Sequence, residues 1–258
     1  MLPSQTVENY LKTIHLAQAA LPAGALVPMG QVASALGVVP GTATTMVKAL
    51  AESGLVHYEP YMGVRLTPAG DKLASRVLRR HRLIELFLVK VLGMSWAEVH
   101  DEAEHLEHAV SDPLIERIDQ MLGRPSVDPH GDPIPASDGT MPPFDSLDLL
   151  TAPIGRALVV TRVLDQSAEF LRFVERCGLV PGSRVIIDAR DPQADAIRVR
   201  AGVHKPTVVG AGAGAKILVS RGSGGSGGSG RSGRSGGSKG SRGAAGSRGS
   251  RGRRGSRM

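Results

Sequence analysis

Residues 29–68 read MGQVASALGVVPGTATTMVKALAESGLVHYEPYMGVRLTP, and this stretch decides the fold. Met29 to Leu36 predicts a short helix that stops at Gly37. A second helix is expected from about Gly41 to Glu52, stopping at Ser53-Gly54, where glycine can take the left-handed conformation that closes a helix. Two β-prone runs follow, Leu55–Tyr58 and Val64–Leu66, around the turn Pro60-Tyr-Met-Gly63, which is a hairpin signal. Two short helices with a turn between them and a hairpin behind them are the parts of a winged helix-turn-helix. Such patterns are degenerate, so from these residues alone an arbitrary small α+β unit stays open as the alternative.

Upstream, Val7, Tyr10, Leu11, Ile14 and Leu16 approximate the stripe of an amphipathic helix capped by Thr6. Downstream, Thr67-Pro68 opens a long helix expected to reach Leu92 and end at Gly93. Ser95-Trp-Ala-Glu98 has the form of a capping box, placing a further helix from there to Val110. Ser111-Asp-Pro113 starts another, ending near Gly123. Short connections make these helices antiparallel neighbours. Residues 124–155 are rich in Pro, Gly and Asp and read as a linker. Beyond them Leu158–Val163, Arg184–Ile187, Ile197–Val199, Thr207–Val209 and Lys216–Val219 are short β-prone runs, with a helical stretch Ser167–Cys177 between the first two. The strand count points to a small SH3-like barrel.

Charge is unevenly spread. Ten of the 31 basic residues fall in 221–258, which has no acidic one, leaving 21 basic against 24 acidic over 1–220, a net −3. The tail is Gly, Ser and Arg and cannot bury enough apolar surface to offset its ordering entropy, so it is expected to be disordered. No run of about 18 apolar residues is present to make a membrane helix, and no secretory signal is visible at the N-terminus, so a cytoplasmic protein without a membrane partner is expected. The single Cys177 excludes a disulfide framework and a thiolate-rich metal cluster.

Four of the eight histidines fall between positions 81 and 108. On a helix, His100, Glu104, Glu107 and His108 share one side, and His81 and Glu85 do the same on the preceding helix. Two antiparallel helices can bring the six together. Imidazole with carboxylate and no thiolate suits manganese, iron(II), cobalt or zinc. A solvated acidic face with incidental histidines explains one such pair better than it explains two. His105 falls on another face and reads as surface. His15, His57, His130 and His204 lack acidic partners at ligand spacing and read as structural. There is no His-Glu-x-x-His, and Gly210-Ala-Gly-Ala-Gly-Ala is followed by a strand where a dinucleotide fingerprint requires a helix.

Several runs together resemble the iron- and manganese-responsive repressors related to the diphtheria toxin repressor. They are Glu8-Asn-Tyr-Leu-Lys-Thr-Ile14, Ser53-Gly-Leu-Val56, Leu66-Thr-Pro-Ala-Gly70, His81-Arg-Leu-Ile-Glu85, Val99-His-Asp-Glu-Ala103, Glu107-His108, Ser111-Asp112 and Gly131-Asp-Pro-Ile-Pro135. The match is dense over 5–135, weaker over 156–219 and absent in the tail. It implies a mainly α protein with small β parts: a winged helix-turn-helix (1–70), a helical metal-binding and dimerisation domain (71–125), a linker (126–155), an SH3-like β-barrel (156–220) and the disordered basic tail (221–258).

The resemblance implies a primary metal site at Asn9, Glu104, Glu107 and His108. A glutamate at 104, where iron-type members have cysteine, argues for Mn2+, with Fe2+ as the alternative. Asn9 departs from the family's methionine or aspartate, and Lys12 stands where manganese-type members can place a second acidic ligand, which disfavours that two-metal arrangement. An ancillary site is implied at His81, Glu85 and His100, with Gln166 and Glu169 completing it. The recognition helix is expected over 41–50, with Gly41, Thr42, Thr44 and Thr45 at its exposed start and Lys48 reaching phosphate. That helix has no Arg, Asn or Gln, so DNA shape should carry much of the readout. The implied function is a metal-responsive repressor acting as a homodimer on double-stranded operator DNA, the metal serving as co-repressor and not as a reaction centre. Two other readings compete: a His/Glu metal hydrolase or oxidase, and a metal-independent winged-helix module with a protein-binding SH3-like domain.

Overall fold

A computed structural model of the chain describes residues 4–142, 146–202 and 205–221. The expected disorder of the tail beyond Arg221 and the structural reading of His204 lie outside the described residues.

The first helix, α1, spans Gln5–Ala19, and its cap is Ser4, whose Oγ accepts from the Val7 amide at 3.4 Å. Thr6, the expected cap, lies inside the first turn. Helices α2 (Met29–Ala35) and α3 (Pro40–Glu52) follow, with proline in the first turn of α3, where its missing N–H costs nothing. Gly54 at φ 72° ends α3, and the Leu55 amide returns to the Leu50 carbonyl at 2.9 Å. Strands β1 (Val56–Glu59) and β2 (Gly63–Leu66) pair antiparallel from Val56↔Leu66 to Glu59↔Gly63. Val27 bridges to Val64 on the open edge, so the wing is anchored to the chain before α2. Leu11, Ile14, Val32, Val47, Leu50, Val56 and Val64 form one buried core, so α1 is a packed part of the winged helix-turn-helix.

Helix α4 (Pro68–Lys90) is capped by Thr67, whose Oγ1 accepts from the Gly70 amide at 3.2 Å. At 23 residues it is about 34 Å long. Ala74 belongs to the winged core, while Leu83, Ile84, Leu86 and Leu88 build a second core with α5 and α6. One rod therefore runs through two cores. Helix α5 is shorter than its sequence signature: it spans Val99–Leu106, and Ser95–Glu98 form a turn before it. The capping box does not form because Trp96 and Ala97 are drawn into the core of the C-terminal sheet, and Glu98 faces Arg172 at 3.4 Å. Helix α6 is Asp112–Met121.

The stretch read as a linker is packed for much of its length. Asp128, His130, Asp132 and Ile134 are buried, as are Leu149 and Ala152 further on. The His130 carbonyl accepts from the Val163 amide at 2.9 Å, and Arg82 donates to the Pro133 carbonyl. Polar and glycine-rich composition here reflects turn chemistry around buried carboxylates, not free chain.

The C-terminal part is a six-stranded antiparallel sheet in the order β3 (Leu147–Asp148), β8 (Ile217–Arg221), β4 (Ala157–Val163), β5 (Arg184–Asp191), β6 (Ala196–Ala201), β7 (Thr207–Gly210). Helix α7 (Ala168–Arg176) sits between β4 and β5, and a single helical turn, α8 (Ala211–Gly214), occupies the Gly-Ala repeat. The five strands expected from sequence are present; β3 and α8 are additions. Alternation along β6 is strict, with Ile197 and Val199 inward and Arg198 and Arg200 outward.

Gly131 joins this sheet to the helical part. Its φ is 86°, and a Cβ there would lie 1.9 Å from the Thr161 carbonyl oxygen. Gly131→Ala is expected to destabilise the chain by about 3 kcal/mol or more, from left-handed strain plus a backbone clash. Urea unfolding of wild type and variant measures this directly.

Candidate metal centre

Helix α4 packs against α1, α5 and α6, and this brings the titratable residues together. His81 and Glu85 lie one turn apart on its buried face, and half-buried His100 and Glu104 lie one turn apart on α5. Glu107 is the last residue of the α5 spiral and has no exposure, with His108 directly after it.

At the end nearest α1, Lys12 Nζ lies 2.6 Å from Glu104 Oε1 and 2.6 Å from Glu107 Oε1. The other Glu107 oxygen is 2.7 Å from His81 Nδ1. His108 Nδ1 meets Glu8 Oε2 at 2.5 Å, and Arg80 approaches the second Glu8 oxygen at 3.5 Å. His81, Glu104 and Glu107 each offer a ligand atom within 4.8 Å of the others. His108 Nε2 and Asn9 Oδ1 are buried atoms without a hydrogen-bond partner among the described residues.

In the middle, Glu85 Oε1 takes His81 Nε2 at 3.1 Å and His100 Nδ1 at 3.3 Å. The two rings meet edge to face, centroids 5.0 Å apart. His81, Glu85 and His100 form a second set of ligand atoms within 4.8 Å. Glu85, Asp128 and His130, all buried, form a third. His130 Nε2 is 2.8 Å from the Trp96 carbonyl, so that nitrogen carries a proton, and Nδ1 faces Glu85 Oε2 at 3.8 Å and Asp128 Oδ1 at 3.9 Å. Nδ1 has no hydrogen-bond partner among the described residues, and neither do Glu85 Oε2 and Asp128 Oδ2. These buried atoms are costly to leave without hydrogen bonds, and Arg82 Nε, 3.8 Å from Asp128 Oδ2, offsets only part of that cost.

Electrostatics divide these groups. Burial alone would lower the His81 imidazolium, but the hydrogen bonds to Glu107 and Glu85 outweigh it and push it up to about 9. Burial would raise Glu85, yet His100 and His81 hold it well below the usual carboxylate range. Burial raises Glu104 as well, and Lys12 more than reverses it. Asp128 goes the other way: burial, then the Asp132 and Glu85 carboxylates, push it well above the usual range. One carboxyl of the Glu85–Asp128 pair is thus charged and the other tends to hold its proton, as close like charges require.

Of the residues expected at the site, His81, Glu85, His100, Glu104, Glu107 and His108 converge. Gln166 faces the same cleft of about 250 Å³ and donates to Asp132 Oδ2 at 2.6 Å. Glu169 is exposed on the first turn of α7 and does not line that cleft. His105 is exposed, as expected. Sequence reasoning missed Glu8, which sits beside Asn9 and holds His108, and it missed Asp128 and His130. His130, read as structural, does bond the Trp96 carbonyl and stack on its ring, and it also lies within ligand distance of Glu85 and Asp128. Its spacing from Glu85 is 45 residues, so no helical periodicity could have signalled it, although Gly131-Asp-Pro-Ile-Pro135 starts one residue later.

On α3, Gly41, Thr42, Thr45 and Lys48 are exposed and Thr44 is half-buried. Thr44 Oγ1 donates to the Pro40 carbonyl at 2.9 Å and Thr45 Oγ1 to the Gly41 carbonyl at 3.0 Å. With their hydrogens so engaged, the threonines offer methyl groups and lone pairs outward.

A winged helix-turn-helix built onto a buried imidazole–carboxylate centre defines the class: a metal-responsive DNA-binding protein. Residues 3–64 match the family described as iron dependent repressor, N-terminal DNA binding domain, and residues 67–136 match its metal binding and dimerisation domain. Residues 147–221 match the FeoA domain. The iron-dependent repressor IdeR of Mycobacterium tuberculosis is 31% identical over 196 residues, covering 71% of this chain and 84% of that one. The HTH-type transcriptional regulator MntR of Lysinibacillus sphaericus is 33% identical over 121 residues, 47% of this chain and 84% of that one. A solved manganese-dependent transcriptional repressor in complex with manganese superposes with a TM-score of 0.73 at 40% identity, covering 83% of this chain and 98% of that one. The chain belongs to the iron-dependent repressor family of metal-dependent transcriptional repressors, the family of the diphtheria toxin repressor.

The raised His81 pKa fixes a sign for stability. In the unfolded chain the group titrates near 6.5 and in the folded chain near 9. Its contribution is fully present below pH 6.5, declines above it and is lost as pH rises through about 9. The melting temperature of the metal-free chain should therefore fall between pH 6.5 and 9, and His81→Gln should flatten that part of the profile; thermal melts across the range check it.

Proposed function

We propose that this chain is a manganese-activated repressor that binds double-stranded operator DNA as a homodimer in the cytoplasm. The observation that carries the choice of metal is the donor set: His81, Glu104 and Glu107 bring nitrogen and carboxylate oxygen within 4.8 Å, with no thiolate among them. Cys177 is elsewhere, following α7. Oxygen-rich donors favour manganese over softer ions. Iron(II) is the second reading, favoured by the iron-dependent relatives that cover most of the chain.

The division of labour we infer gives residues 1–70 to DNA, 71–125 to metal and dimerisation, and 156–220 to the SH3-like domain. Asn9, Glu104, Glu107 and His108 would hold the primary ion, with Glu8 orienting His108. His81, Glu85 and His100 would hold an ancillary one, with Asp128 and His130 added to the donors expected from sequence and Gln166 nearby; Glu169 would reach it only if α7 moved. When bound, a divalent cation supplies coordination bonds and positive charge at these carboxylates. Asn9 and Glu8 belong to α1, inside the winged core, while Glu104, Glu107 and His108 belong to α5 and its end. Donors drawn from both sides fix α1 against the helical domain.

Exposed Val91, Leu92, Leu114 and Met121, at the end of α4 and on α6, supply an apolar face for a second copy. Two winged helices held about 34–36 Å apart meet successive major grooves. Gly41, Thr42, Thr44 and Thr45 then face the DNA, thymine methyls included, and Lys48 neutralises phosphate. A complete swing from inactive to active requires the metal-loaded centre to favour the DNA-competent state by about 5.5 kcal/mol. We read the centre as a co-repressor site because its donors tie elements together and face one another.

Fluorescence anisotropy on DNA upstream of the protein's own gene tests this. Manganese is expected to promote binding more strongly than iron(II) under anaerobic conditions. A chelator and the Glu104→Ala, His108→Ala double variant should each abolish it. Binding indifferent to metal would instead favour a metal-independent winged-helix module. Since residues 1–220 carry a net −3, the ten cations of 221–258 are expected to add salt-sensitive attraction. Deleting residues 222–258 should make the plot of log affinity against log salt shallower; an unchanged slope removes the tail from DNA binding.

A further inference from the structure

We propose that Lys12 is a tethered cation that occupies the primary metal position in the metal-free chain, so that metal enters by exchange with the lysine ammonium. The inference rests on the reading of Glu104 and Glu107 as metal ligands.

The geometry leaves little choice. Lys12 Nζ stands 2.6 Å from one oxygen of each glutamate, and the lysine is 6% exposed. Ions of the manganese, magnesium and calcium kind sit about 2.0–2.6 Å from such oxygens. An ion bound to the same two atoms would compete with the ammonium for the same carboxylate lone pairs, so each disfavours the other. Like charge adds to the exclusion, since the pair sits where water screens it poorly.

The ammonium is also a sound partner for what it covers. Glu107 has no exposure and takes Lys12 on one oxygen and His81 on the other. Without Lys12, Glu107 would keep only the two imidazoles, His81 at 2.7 Å and His108 at 3.3 Å, and half-buried Glu104 would keep only His81 and His100, at 3.9 and 3.8 Å. Lys12 comes from α1 and the glutamates from the α5 region, 92 and 95 residues away in sequence. The same contact therefore spans the join that metal is read as fixing. Exchange sets a threshold: metal must displace an internal competitor whose local concentration is fixed by the chain, so weakly bound or scarce ions are refused.

Two measurements test this on the full-length chain. The first is acylation of amines by an N-hydroxysuccinimide ester, read at each lysine by mass spectrometry, with exposed Lys48 as reference. Lys12 is expected to be protected in the metal-free protein and to react at least tenfold faster once manganese is bound. The second is manganese affinity, counted from the free-ion electron paramagnetic resonance signal. Lys12→Met, which keeps length and loses charge, should tighten one class of sites at least tenfold, about 1.4 kcal/mol. Lys12→Arg, which keeps the charge, should not. Circular dichroism reports whether each variant folds, and the labelling of wild type decides alone if one does not. Lys12 equally protected with manganese bound, or a Met variant of unchanged or weaker affinity, overturns the exchange while leaving the metal reading intact. No manganese or iron(II) binding by wild type or by Lys12→Met overturns both.

Discussion

Glu107 has no exposure, and each of its oxygens is taken by a positive or hydrogen-donating group from a different helix: Lys12 from α1, His81 from α4. A carboxylate removed from water in this way is tolerable only while those partners stay. That constraint locks three helices at one point. It explains why α1, which sequence alone would assign to the DNA-binding part, has its polar residues aimed at α5. It also explains why the centre is built on helices and not on loops, since partners must hold position within a fraction of an ångström to satisfy both oxygens.

The same logic is repeated one turn along α4. Glu85 faces His81 and His100 on one side and Asp128 and His130 on the other. Holding Asp128 there requires the chain between α6 and the sheet to fold back sharply. Gly131 makes that return with its left-handed conformation, and Arg82 fastens it through the Pro133 carbonyl. The C-terminal sheet is thereby attached through backbone contact at His130 and Thr161 as well as through its own core. A segment whose composition resembles a linker is in fact what carries two of the buried groups that face Glu85.

Legibility in the sequence followed the range of the interaction. The winged helix-turn-helix was readable because its signals are local: Gly37 and Gly54 close helices, and Pro60-Tyr-Met-Gly63 turns a hairpin. His81–Glu85 and His100–Glu104 were readable because helical periodicity puts residues four apart on one face. No periodicity links Lys12 to glutamates 92 and 95 residues away; the family resemblance put its position at the centre, and the fold supplied the ion pairs. The capping box at Ser95 misled for a related reason. Its local preference is worth about 1 kcal/mol, and burial of Trp96 and Ala97 against the C-terminal core outweighs it. Thr6 lost to Ser4 as the cap of α1 by a shift of two residues, within the range over which helix starts compete.

The arrangement of cores says how an event at Lys12 reaches DNA. Leu11 and Ile14, on the same helix as Lys12, sit in the same core as Val47 and Leu50 of α3. A close-packed interior transmits displacement instead of absorbing it, because filling or opening a gap of even one methylene is costly. On the proposed reading, a change in the tie between α1 and α5 would shift the winged helix-turn-helix as a unit relative to the helical domain. Helix α4 sets the axis of that movement, since it belongs to both cores and is continuous between them. What would be altered is not the recognition surface itself but the angle at which it is held, and in a dimer that angle would fix the spacing of two such surfaces. Small changes of angle at the centre become large changes of position at the tip of α3. On the proposed reading, one exchange of cations would decide between a spacing that meets two major grooves and one that does not.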